Sequence, residues 1–131
     1  MASDDRYQAC YEAIERELDR RGLDYEIHGL PGAEDIIHFE EYWLTNLPER
    51  TKLFPAIVDA DLALGLDQKI IAAVMAHHAA GDASAYYVIL CGNGWSEDRV
   101  EKIISQISGR MPSSFSVTIE PLEKFTGKVG T

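Results

Sequence analysis

A small α+β domain is what this sequence predicts. Three features predict it: a helix-period apolar pattern at the start, runs rich in aromatic and β-branched residues in the second half, and one strongly amphipathic helix beside them. With 131 residues, 46% of them hydrophobic and 26% charged, one core is expected, large enough to need no disulfide or metal to hold it. The expected architecture is two-layered, an antiparallel hairpin plus β-α-β elements with helices packed on one face and an extra N-terminal helix. Residues 1–51 form that helix and an irregular aromatic and acidic segment; residues 52–131 form the α+β unit, the two making one compact body.

Taken in order, Ser3 can cap a first helix whose apolar positions Tyr7, Cys10, Tyr11, Ile14 and Leu18 recur at three- and four-residue steps. Asp4 and Asp5 suit its first turn, Arg20 and Arg21 its last, and Gly22 stops it. Its mixed face of Glu12, Glu15, Arg16, Glu17 and Asp19 reads as a solvated surface. Leu23 to His28 reads as extended, and Gly29, Pro31 and Gly32 break it before a stretch from Glu34 to Asn46 that carries no clear period. Pro55 opens a short helix through Ile57, Val58, Ala60, Asp61, Leu62 and Leu64 that Gly65 ends. Lys69 to Met75 fits strand or helix by periodicity, and is assigned as a strand forming a hairpin, across the Gly81-Asp82 turn, with Ser84 to Cys91. Ser96 caps the amphipathic helix, with Glu97 and Asp98 in its first turn and Val100, Ile103, Ile104 and Ile107 along one face. Gly109 and Pro112 end it, and Phe115, Val117 and Ile119 alternate with polar residues in a last strand.

A net charge of −10 argues against nucleic acid, whose binding depends on Lys and Arg neutralising phosphates. No apolar run reaches the length of a membrane span, so neither membrane nor nucleic acid is an expected partner. Two distant cysteines without a signal-peptide pattern fit the cytoplasm. His77 and His78 beside Asp82 could suggest a metal, but neighbours on a strand point to opposite faces, and no metal site is expected. Cys91 with a histidine lacks a third orienting group, which favours a packed thiol over a nucleophile. Phe39, Tyr42 and Trp43 fit a core cap better than a ligand site, His28 and His38 fit the surface, and Trp95 could shield a pocket or dock a partner. The candidate site is the C-terminal Thr126-Gly127-Lys128: glycine lets the backbone approach a ligand, and lysine offers a mobile ammonium to a phosphate or carboxylate.

Phe54 to Asp59, Ile70 to Met75, Ala85 to Leu90 and Pro121 to Val129 follow one another in an order and spacing that, from Lys52 onward, resembles the C-terminal lid domain of adenylate-forming enzymes, the acyl-CoA synthetase superfamily, and within it the phenylacetate-CoA-ligase-like branch. Phe54 to Asp59 is similar to the family's Pro-x-x-Ile-Glu helix start, and Ile70 to Met75 falls where it has a short strand. Ala85 to Leu90 resembles its Ala-x-Val-Val strand, and Pro121 to Val129 its closing Gly-Lys-Val motif. Gly32 to Ile36 stands nearest the hinge motif but lacks its arginine. The resemblance implies a lid portion of an ATP-dependent ligase that activates a carboxylic acid as acyl-adenylate before thioester formation, not catalytic alone. Lys128 would be the catalytic cation, and Thr126 and Gly127 would contact substrate. ATP and Mg2+ would bind only through a large N-terminal adenylation domain or partner chain, with CoA or a carrier-protein thiol as acceptor. The alternative is a free-standing α+β module that binds a small molecule or another protein, possible as a homodimer and without catalysis.

Overall fold

Helix α1 (Ala2–Arg20) leads into β1 (Tyr25–Gly29), β2 (Glu40–Leu44) and β3 (Thr51–Ile57). A 3-10 turn (Ala60–Leu62), α2 (Leu66–Ala80), β4 (Ala85–Cys91), α3 (Glu97–Ser108), β5 (Ser116–Pro121) and the single-turn α4 (Leu122–Phe125) complete the order. This computed structural model describes residues 2–29, 40–81, 83–111 and 116–127. The α+β class stands: five strands form one mixed sheet in the order β1-β2-β3-β4-β5. The β1-β2 and β2-β3 pairs are antiparallel, while β3-β4 and β4-β5 are parallel.

The predicted hairpin is absent among the described residues, because residues 69–75 lie inside helix α2 and β4 instead pairs in parallel with β3. Leu66, Ile70 and Val74 are buried while Gln68 and Ala72 between them are exposed, a pattern that a strand, which would bring all five to one face, cannot give. Gly81, at φ 72, closes the helix with its N–H on the carbonyls of His77 and His78. The helix expected to open at Pro55 is also overturned, since Pro55 lies in β3. The run from Lys52 to Ile57 is buried without alternation, as suits a strand inside a sheet covered on both faces. Proline is tolerated there for a geometric reason. Arg50 O accepts from Ser84 and Ala85 and Val58 N donates to Cys91 O, so even-numbered residues of this strand turn their polar edges to β4 and Pro55 faces β2. The register with β2 ends at Tyr42↔Leu53, so at residue 55 no ladder bond is lost.

Helices lie on both faces of the sheet, not on the single face expected, because the two same-handed crossovers of β3-β4-β5 put α2 and α3 on one face and leave the apolar side chains of the other to α1 and α4. Register places Tyr42, Leu53 and Tyr87 on one face, where Tyr11 of α1 meets Tyr42 and Phe125 of α4 meets Tyr87. Trp43, Lys52, Phe54, Tyr86 and Val88 occupy the opposite face, where His77 of α2 packs against Tyr86. Burying Ile14 and Leu18 completely contributes about 2 kcal/mol each to holding α1 down. Arg21 ties α1 to α4, its guanidinium over the Phe125 ring and one nitrogen donating to Phe125 O at 2.8 Å. Helix α3 forms as predicted, with Ser96 Oγ accepting from Arg99 N and Val100, Ile103 and Ile107 buried; Ile104 is exposed. Among the described residues no helix is long and apolar enough to cross a membrane.

Candidate functional site

Two places gather polar side chains, one beneath each end of α2. The first is a buried network that sequence reading did not single out. Glu41 on β2 is 1% exposed, and its Oε2 receives the Tyr86 hydroxyl at 2.7 Å and sits 2.7 Å from His77 Nε2. Its Oε1 accepts from Trp43 Nε1. Burial alone would raise the carboxyl pKa, but the bonds from His77 and Tyr86 outweigh it and hold Glu41 below the usual carboxylate range. The same burial, with the carboxylate beside it, pushes the Tyr86 hydroxyl far up. The hydrogen bonds from His77, Tyr86 and Trp43 to this one carboxylate fasten α2 to β2 and β4. Trp43 continues it outward, with the Lys52 ammonium over its ring and His28 stacked on it at 4.0 Å.

The second place is a cleft of about 370 Å³ where the chain leaves β3 and β4. Residues between Ala60 and Asp67 line it on one side, Trp95 and helix α3 on the other, and hydrogen bonds between residues 58–60 and 93–95 brace the loops at its base. Ala60 N donates to Asn93 O at 2.9 Å, Asn93 N to Asp59 Oδ1 at 2.8 Å, and Trp95 Nε1 to Val58 O at 2.9 Å. Gly94 takes φ +84°, the left-handed region that favours glycine; a Cβ there would make ordinary contacts, 3.4 Å from Ala60 Cβ and 3.5 Å from Arg99 Nη1. Asp61 and Asp67 line the cleft from one side, Arg99 and Lys102 from α3 on the other, with Trp95, Leu64 and Ile103 as apolar wall. One ion pair crosses it, Arg99 Nη1 to Asp61 Oδ1 at 2.6 Å, with both side chains largely in solvent. Binding groups on loops braced by a rigid scaffold are the common form of a small-ligand site.

Of the predicted site residues, the two that the structure describes, Thr126 and Gly127, do not line this cleft. Thr126 and Gly127 close α4, the Thr126 hydroxyl donating to Leu122 O at 3.1 Å and Gly127 taking φ 76. Lys128 lies outside the described residues, as do His38, Phe39, Asp82 and the segment Gly32 to Ile36. His77 and His78 are successive residues of a helix, not of a strand, and diverge by about 100° there. Among the described residues no group of three or more His, Cys, Asp or Glu could hold a metal ion. Cys91 is buried with its thiol 3.8 Å from Ile89 O, and Tyr42 is buried in the core. Trp95 is the one residue flagged from sequence as a pocket shield that lines the cleft. The partners of Glu41 could not be read because α2 was taken for a strand; only the acidic residue between Tyr42 and a glycine-rich break hinted at it. No protein-family model matches the chain, and no curated protein matches it.

Proposed function

We propose that this chain is a non-catalytic α+β module that binds a small molecule in the cleft between residues 60–67 and the Trp95–α3 wall. The observation that carries this reading is the cross-loop bracing, which fixes Trp95 and the backbone around Ala60 beside a concave space, with Asp61 and Arg99 on its opposite sides, before any ligand arrives. Groups already held in place lose little freedom on binding, so a small contact area suffices. Two buried thiols are consistent with a reducing compartment such as the cytoplasm. The test is an NMR screen with mixtures of small amphipathic acids, amines and amino acids. The Trp95 indole N–H and the amides of 59–65 should shift while the Trp43 indole stays still. Shifts clustered elsewhere, or none at millimolar concentration, would overturn the reading.

The lid of an adenylate-forming ligase is the second reading, favoured by the turn at Thr126 and Gly127 that ends α4 immediately before Lys128. Of its four matched fragments, Ala85 to Leu90 takes the strand conformation that the resemblance implies, whereas Phe54 to Asp59 and Ile70 to Met75 do not start a helix and form a strand. In this reading a larger adenylation domain holds ATP and Mg2+, and Lys128 steadies charge on the phosphate as the acyl-adenylate forms. Lys128→Ala would then slow ATP–pyrophosphate exchange by that assembly about 100-fold or more. Unchanged exchange would remove Lys128 from the chemistry.

A further inference from the structure

The charges in the cleft are sorted by element, and the sorting points to what the cleft takes. Both acids come from the segment after β3, Asp61 in the 3-10 turn and Asp67 in the first turn of α2. Both bases, Arg99 and Lys102, come from α3, where their spacing of three residues puts them on one side of the helix with Ile103 adjacent. Between these banks lie Trp95, Leu64, Ala60 and Ala63. Asp67 also faces Arg110 at 3.7 Å, and Arg110 reaches Gln68 Oε1 at 3.2 Å.

We propose that the ligand is a small zwitterion, an α-amino acid with an apolar side chain, its carboxylate on Arg99 and Lys102, its ammonium on Asp61 and Asp67, and its side chain against Trp95, Leu64 and Ile103. This deepens the binding reading above and rests on it. Three arguments select this class. The Arg99–Asp61 pair is exposed, so opening it costs little; a ligand carrying both signs replaces each half, whereas a simple anion would leave Asp61 facing it and a simple cation would leave Arg99. The net charge of −10 repels free anions at long range but leaves a neutral zwitterion unaffected. The volume, about 370 Å³, stands at the small end of ligand sites, which suits a molecule of amino-acid size and excludes a dinucleotide.

The experiment is calorimetric titration of the full chain with L-leucine and L-phenylalanine, with leucinamide and 4-methylpentanoate as analogues missing one charge, alongside the Trp95 indole signal. The amino acids should bind and shift that signal, and each analogue should bind about 10-fold more weakly or worse, as loss of one charge-assisted contact implies. Arg99→Gln and Asp61→Asn should each weaken the amino acids by a similar factor. An analogue that binds as tightly as leucine, with the Trp95 shift intact, would overturn the zwitterion class and leave the cleft standing. Amino-acid binding that ignores both substitutions and Trp95 would place the ligand elsewhere and overturn both readings. No heat from either amino acid at millimolar concentration would overturn the zwitterion class, the cleft itself then being decided by the wider NMR screen.

Discussion

The two ends of α2 hold charge in opposite ways. Beneath His77, the Glu41 carboxylate is shut from water and each oxygen has a donor. Beyond Gly65, Asp61 and Arg99 face each other across a cleft, 79% and 48% exposed. The buried group cannot change partners without giving up the hydrogen bonds from Tyr86, Trp43 and His77 inside the core, and stays fixed for that reason. The exposed pair can, because water or a ligand of matching charge substitutes at little cost. A charge built for holding the fold and one built for exchange are thus told apart by burial, not by residue type.

The sharpest way to break this contrast is Glu41→Ala, which should lower unfolding free energy by about 3–5 kcal/mol in urea denaturation, with Glu41→Gln losing less. A loss below about 1 kcal/mol would mean that the carboxylate is not what fastens α2. Next is Gly94→Ala, which places a Cβ at φ +84° against Ala60 and Arg99. It should cost about 1–2 kcal/mol through the left-handed backbone and lower ligand affinity with it, since its neighbours Ala60 and Arg99 line the cleft. Full stability with unchanged binding would show that this loop does not depend on a left-handed glycine.

Acid pH gives a third, smaller effect. Glu17 bridges Arg20 and Arg21, whose hydrogen bonds and charges lower its pKa from 4.5 to about 2 against the opposing effect of burial. Glu41 is lowered as well. A carboxyl depressed on folding contributes stability above its unfolded value and loses it as pH falls through the folded one. The protein should therefore weaken progressively from about pH 4.5 toward pH 2. Glu17→Gln should flatten that acid limb by about 1 kcal/mol, the arginines being partly in solvent. A limb identical to the parent would remove Glu17 from it. Smallest of all, Arg99→Gln should change stability by under about 0.5 kcal/mol, measured by thermal unfolding. A larger loss would place Arg99 among the groups that hold the fold.

Much of the frame was legible because it depends on local pattern. Cys10, Tyr11, Ile14 and Leu18 marked the buried face of α1, Ser96 and the isoleucines marked α3, and Tyr86 to Leu90 marked β4. What was misread turned on tertiary context. Ile70, Ile71 and Val74 are β-branched and read as strand, yet the element runs fifteen residues from Leu66 to Ala80, a length that suits a helix. Pro55 read as a helix start because nothing local says that its missing N–H faces a ladder already ended. The network and the cleft were out of reach for the same reason: Glu41 meets His77 and Asp61 meets Arg99 across 36 and 38 positions, and only the parallel pairing of β3 with β4 brings them together.

That same proline also guards alignment. If β2 slid two places along β3, Tyr42 would stand opposite residue 55 and ask for an amide proton that is not there. A slide of one place would turn Glu41 toward Tyr11 and Ile14, among side chains with no proton to offer a carboxylate except a phenol. One missing hydrogen thus discourages misthreading during folding and keeps an acid on the side where its donors wait.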